Sequence, residues 1–264
     1  MFSSFHVVWI GLCAVLIGTG VFLCMRKNVS TRALLRFCCY GAALSEVTKV
    51  LSVVEIVPSS DGSLYYPYLQ MQHMPFHFCS LMVFVIFWMY FTKSEKIRDS
   101  LLQFSFPVCL FGGVLAIFIP TIFGNSIRVD QAFTHPLAYQ YFLYHCMLVV
   151  LAVQIARDRS VCFSWRGYAN TMKLLGGLAF ASIYLNSLFS APLYENGRLL
   201  SVEYGTNLMF TFKFPLGITF ATKEQWLLYL ALLGIGACVG VALLYLPLVK
   251  RRVSQEESVH LPKS

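Results

Sequence analysis

Two histidines, a thiol and a hydroxyl are the candidates for chemistry in this chain. His77, Cys79 and Ser80 fall in Met74-Pro75-Phe76-His77-Phe78-Cys79-Ser80, at the mouth of an apolar run that continues to about Thr92. His145 follows Tyr139, Gln140, Tyr141 and Tyr144, and Tyr141, Tyr144 and His145 share a face at helical spacing. A thiol within reach of an imidazole is the minimum for a cysteine nucleophile, because the ring can accept the thiol proton. His77 and Cys79 are two residues apart, so on one helix they point to nearly opposite faces. His145 is therefore the better base for Cys79. Residue type alone favours a plainer reading of Cys79 as a packed core cysteine. For His145 the plainer reading is a hydrogen bond across helices, and its tyrosine neighbours favour a site.

Further polar groups lie in other apolar runs. Glu46 and Lys49, three residues apart, can pair on one helix face, either to pin packing or to face a cavity. Asn186 sits beside Tyr184 and Ser187. The connection from Glu195 to Glu224 holds Tyr204-Gly205-Thr206-Asn207 and then Phe210, Phe212 and Phe214. Its length and content suggest a lid or a re-entrant segment. His73 and His77 have the four-residue spacing of two metal ligands, but Pro75 between them places His73 before the helix, and spacing fixes no third ligand. No metal or other cofactor is expected. The nine cysteines include no Cys-x-x-Cys pair, which argues against a disulfide framework or a zinc knuckle.

The elements that must position these groups are membrane helices. Apolar residues make up 58% of the 264 and charged residues 12%, about half the ~25% of a soluble domain. Apolar runs can be drawn near 5–25, 33–56, 73–92, 101–123, 137–156, 171–194 and 225–249. Most reach the ~20 residues that span a hydrocarbon core, and a barrel would instead alternate in ten-residue segments. The expectation is an all-α, multi-pass protein with seven transmembrane helices in one domain, 1–249, and a short, polar, disordered tail, 250–264. The third helix should begin near Pro75, and the loop 57–72 should be a turn-rich connection.

The first run has no basic residue before Arg26, so it reads as a retained helix rather than a signal peptide. Basic residues set the orientation. Thirteen Lys and Arg fall on one side (around Arg26, Lys93, Arg157 and Lys250) against Arg128, Arg198, Lys213 and Lys223 on the other. The N-terminus is then outside, the tail cytoplasmic, and the cell membrane the expected location. The net charge of +8 reflects this asymmetry, with no basic, aromatic-rich soluble face for nucleic acid. A retinal protein needs a Schiff-base lysine in the last span, and 225–249 contains no Lys, Arg, Asp, Glu or His.

At about 1.5 Å per residue, His77 and Cys79 come within roughly 10 Å of the outer surface, and His145 and Asn186 at roughly 12 Å. Lys49 and Glu46 fall at roughly 10 and 15 Å. Four helices thus place polar groups in one outer layer, which points to a single site open to the extracytoplasmic side.

These residues carry a resemblance. Pro75-Phe76-His77-Phe78-Cys79-Ser80, Tyr141-x-x-Tyr144-His145 and Gly205-Thr206-Asn207-Leu208-Met209-Phe210 resemble, in that order, the motifs of YwaF-type integral membrane proteins. The eukaryotic branch of that family is the transmembrane-164 proteins, described as ether-phospholipid acyltransferases. The resemblance covers nearly the whole chain and matches the family histidines to His77 and His145 and the family asparagine to Asn207. Glu46 and Lys49 resemble a Glu and a Lys of the second helix at slightly different spacing. Phe76 stands where the eukaryotic branch has its proposed nucleophilic cysteine, so Cys79 or Ser80 becomes the candidate.

The resemblance implies acyl transfer or hydrolysis on membrane lipids. His145 would be the base, His77 a second acid, base or oxyanion donor, and Asn186 and Asn207 groups that polarise the carbonyl, with Glu46, Lys49, Tyr141 and Tyr144 lining the site. The rival expectation is a non-enzymatic protein that binds or transports a small ligand in the same outer pocket.

Overall fold

The protein is represented by a computed structural model that describes residues 3–74, 76–195, 198–204, 206–213 and 220–260. Pro75, Gly205 and Phe214, which the sequence motifs include, lie outside the described residues. The chain is predominantly helical, as the apolar runs require. Its helices are α1 (Ser4–Arg26), α2 (Thr31–Val53), α3 (Phe78–Phe91), α4 (Glu95–Phe118), a single turn α5 (Ile122–Asn125), α6 (Pro136–Arg157), α7 (Trp165–Leu188) and α8 (Lys223–His260). Seven of them are long, and each matches one apolar run.

By length and composition α1, α4, α6 and the 223–251 part of α8 can each cross a membrane. The remaining three depart for different reasons. Arg32, Arg36, Glu46 and Lys49 interrupt the apolar character of α2. Arg166, Lys173 and several small polar residues dilute α7. Helix α3 is apolar apart from Ser80 and the Tyr90 hydroxyl but has only 14 residues, about 21 Å against the ~30 Å of a hydrocarbon core.

Three expectations are corrected. The third helix starts at Phe78, not near Pro75, and the chain before it makes only a 3-10 turn at Met71–His73. The two long connections hold antiparallel hairpins: β1 (Glu55–Pro58) with β2 (Tyr65–Tyr68), and β3 (Ser190–Glu195) with β4 (Arg198–Tyr204). In the first, Gly62 takes φ +69 and the Asp61 carboxylate accepts bonds from Ser59 and Ser63, which hold its pKa down at about 2. Backbone pairing satisfies groups that a purely apolar reading overlooks. Finally, the tail continues α8 as helix to His260 rather than being disordered.

The chain divides into two compact units, Met1–Val161 and Cys162–Ser264. In the first, α2, α3, α4 and α6 form a ring in which α6 packs on α2 and α4, and α3 on α2 and α4. Helix α1 lies against α6 and α4. Trp9 fixes it there: the indole stacks between Phe133 and Phe142 and donates to the Ala132 carbonyl at 2.9 Å. In the second unit α7 packs on α8, and the buried Thr171 and Tyr245 hydroxyls meet at 2.9 Å.

Glycines set two of the close approaches in the ring. A Cβ on Gly113 of α4 would stand 2.7 Å from Val149 Cγ2 and 3.1 Å from the His145 carbonyl oxygen of α6. A Cβ on Gly41 of α2 would meet only the flexible tip of Met147. A backbone carbonyl cannot swing aside as a methionine can. Gly113→Ala is therefore expected to destabilise the purified protein by about 1–3 kcal/mol and Gly41→Ala by less. Thermal unfolding in detergent checks this, and equal losses would contradict the packing described.

Candidate functional site

The late start of α3 determines what surrounds Cys79. The thiol is in the first turn of the helix and faces α4, where a Cβ on Gly112 would lie 3.7 Å from its sulfur. Gly112 is six residues from the end of α4 at Phe118, so Cys79 lies about 9 Å inside that end of the ring. From α6, the Tyr144 hydroxyl donates to the Cys79 carbonyl at 2.7 Å. Gly113, the next residue of α4, abuts the His145 carbonyl. The thiol of α3 and the histidine of α6 therefore occupy the same level, one on each side of the Gly112-Gly113 step.

His145 is buried, and its Nδ1 is 2.6 Å from the Tyr141 carbonyl oxygen. A carbonyl can only accept, so Nδ1 carries the proton and Nε2 holds the lone pair. That is the tautomer a general base needs. The Tyr141 ring lies 4.4 Å from the imidazole, centre to centre, and its hydroxyl donates to the Ala116 carbonyl of α4 at 3.1 Å. Both tyrosines of the sequence motif thus tie α6 to neighbouring backbone and restrict the ring of His145.

His77 occupies the N-cap position of α3 but gives no side-chain cap bond. The first-turn amides of a helix have no intrahelical acceptor, so here they are available to a carbonyl or anion. Ser80 is half-buried in the same turn. Phe76, just ahead of the helix, is 41% exposed. On α2, Lys49 Nζ lies 2.7 Å from Glu46 Oε1, so the pair that the sequence suggests is present. Glu46, Lys49, His77, Cys79, Ser80, Tyr141, Tyr144 and His145 all belong to the ring of the first unit.

Asn186 and Asn207 belong to the second unit and do different work. Asn186 is fully buried. Its Nδ2 donates to the Leu208 carbonyl and Thr211 Oγ1, and its Oδ1 accepts from Leu208 N and Thr206 Oγ1 at 2.7–3.1 Å. These bonds hold a segment in which Met209 and Phe210 both take φ +55, a conformation costing about 1–3 kcal/mol each for residues other than glycine. Asn207 accepts from the Phe212 and Lys213 amides and donates to the Lys213 carbonyl. Each amide side chain is occupied by its own loop.

Residue type did not reveal several contributors. Gly113 matters for what it lacks, and a glycine in an apolar run gives no chemical signal. Gln140 donates to Ser45 at 2.6 Å across α6 and α2, which the polar content of α6 could have suggested. Among the described residues, no group of three or more His, Cys, Asp or Glu could hold a metal ion.

The family model that matches this chain is the TMEM164 family, over residues 1–245. No curated protein and no solved structure matches it.

Removing the Asn186 amide should leave the Leu208 amide and the Thr206 hydroxyl without their acceptor, at about 1–3 kcal/mol for each buried group left unpaired. Asn186→Leu is thus expected to make the 206–213 segment sensitive to limited proteolysis while α7 stays helical. Unchanged cleavage would contradict the clamp.

Proposed function

Because the chain belongs to the TMEM164 family of membrane proteins and its ring gathers a thiol, a base-ready imidazole and uncapped helix amides at one level, we propose that it is a membrane enzyme acting on lipid acyl esters. The observation that carries this reading is the Nδ1–H tautomer of His145 at the level of Cys79. In the proposed arrangement all seven long helices cross the cell membrane, with the N-terminus and the hairpin β1–β2 outside. The short helix α3 then lies against α2 and α4. Non-helical chain at membrane depth is tolerated where it is buried in protein or lines a cavity, the setting proposed for Phe76 and His77 ahead of α3.

The chemistry is acyl transfer or hydrolysis. The Cys79 sulfur attacks the ester carbonyl carbon while His145 Nε2 takes the thiol proton. The acyl–oxygen bond breaks, and the imidazolium returns that proton to the departing lysolipid oxygen, leaving a thioester. A second lysolipid hydroxyl, or water, attacks the thioester by the reverse path and regenerates the thiol. The first-turn amides of α3 serve the developing oxyanion, with His77 beside them as a further donor. Ser80 can take the place of Cys79 through the same proton path. A rival function as a ligand carrier draws on the Glu46–Lys49 pair, and it would show transport that depends on Glu46.

The test is the lipid mass profile of membranes with and without the protein, alongside Cys79→Ala and His145→Ala. A chain-specific change in phospholipids is expected. Loss of the base should lower its rate about 10²–10⁴-fold, and loss of the thiol should abolish it. A change lost only with His145→Ala assigns the nucleophile to Ser80 or water. No lipid change in any membrane would overturn the acyl reading.

A further inference from the structure

The ion pair on α2 leaves its cation incompletely satisfied. The Lys49 side chain is 9% exposed, and its Nζ lies 2.7 Å from Glu46 Oε1 without making a hydrogen bond, so among the described residues the buried ammonium has no hydrogen-bonded partner. An ammonium has three N–H donors and no way to shed them except to a partner or to water. Burying one is costly unless those donors are used. Helix α2 packs on α3, whose N-cap is His77, and on the 3-10 turn that ends at His73. Neither imidazole is fully buried. The lysine and both histidines therefore belong to elements that are in contact where α2 meets the start of α3, next to the turn that holds Cys79.

We infer that Lys49, His73 and His77 form a binding subsite for a phosphate group, carried by a lipid headgroup or present as a free anion. A lysine steadied by a carboxylate while its remaining N–H groups reach phosphate oxygens is an established arrangement in phosphoryl-transfer sites. Glu46 fills the steadying role here. Its side chain is 31% exposed, so its own charge is partly solvated and repels an incoming anion less than a buried carboxylate would. In its lipid form the subsite rests on the function proposed above, because it would place an ester a short distance from Cys79.

Full-length protein in neutral, phosphate-free detergent is titrated with a lysophosphatidylcholine, with the monoacylglycerol of the same chain, and with inorganic phosphate. Binding is read by thermal shift and native mass spectrometry. The phospholipid is expected to bind roughly tenfold more tightly than the neutral lipid, the worth of one charge-assisted hydrogen bond. Lys49→Gln should erase that difference. Inorganic phosphate binding as tightly as the phospholipid assigns the subsite to the free anion; much weaker binding assigns it to the headgroup. Equal binding of the two lipids to the native protein overturns the subsite even where Lys49→Gln does not fold, and so does a preference that survives the substitution. Acyl exchange is followed on the same samples. Exchange without a phosphate preference removes the subsite alone, and a preference without exchange removes the proposed reaction alone.

Discussion

A helix that starts inside a bundle brings with it amide groups that no carbonyl of its own can satisfy. In this protein α3 begins about 9 Å below the end of its neighbour α4, with no side-chain cap at His77. The surrounding helices accommodate that start. Tyr144 bonds to the Cys79 carbonyl, the Cys79 sulfur lies against α4 at Gly112, and α2 carries the Glu46–Lys49 pair. A continuous span over 73–92 would have buried its first turns in regular hydrogen bonds and left the thiol as one more packed side chain. The break leaves uncapped amides and a thiol in the first turn of α3, with His77 at its N-cap.

Helix α6 gives the site its second wall. Its approach to α4 is close enough that only a hydrogen fits at Gly113, and this proximity sets the height of Tyr141, Tyr144 and His145. The bond from His145 Nδ1 to the Tyr141 carbonyl then fixes which ring nitrogen can accept a proton. Packing and tautomer are thus linked: a change that separates α4 from α6 also alters the base. The second unit holds its own loop by a different device, a buried asparagine offsetting two strained residues.

Much of the helical architecture was legible in the sequence. Each long helix matches an apolar run, because apolar periodicity and length are strong signals for helices. The shared level of Cys79 and His145 was also legible from counting residues, and so was the Glu46–Lys49 pair from its spacing. The start of α3 was not, since the apolar character of Met74 and Phe76 continues past the point where helix gives way to extended chain. The hairpins were hidden for a related reason: their pairing lies in backbone bonds, and their side chains are mixed. Asn186 and Asn207 show the limit of residue type. Both were read as groups that polarise a substrate, while the structure occupies both with loop amides and hydroxyls. Gly113 carries no chemical group, so only the neighbouring helix reveals its part.

The central claim is that the first turn of α3 holds a nucleophile that accepts an acyl group. Its most direct test is to incubate the purified protein with a phospholipid bearing an isotopically heavy acyl chain, quench in acid, and map adducts by peptide mass spectrometry. The account predicts one heavy acyl group on the peptide that contains Cys79 and Ser80, released by hydroxylamine and absent from His145→Ala. Acylation confined to another cysteine, or lipid turnover with no adduct on that peptide under any quench, would contradict it.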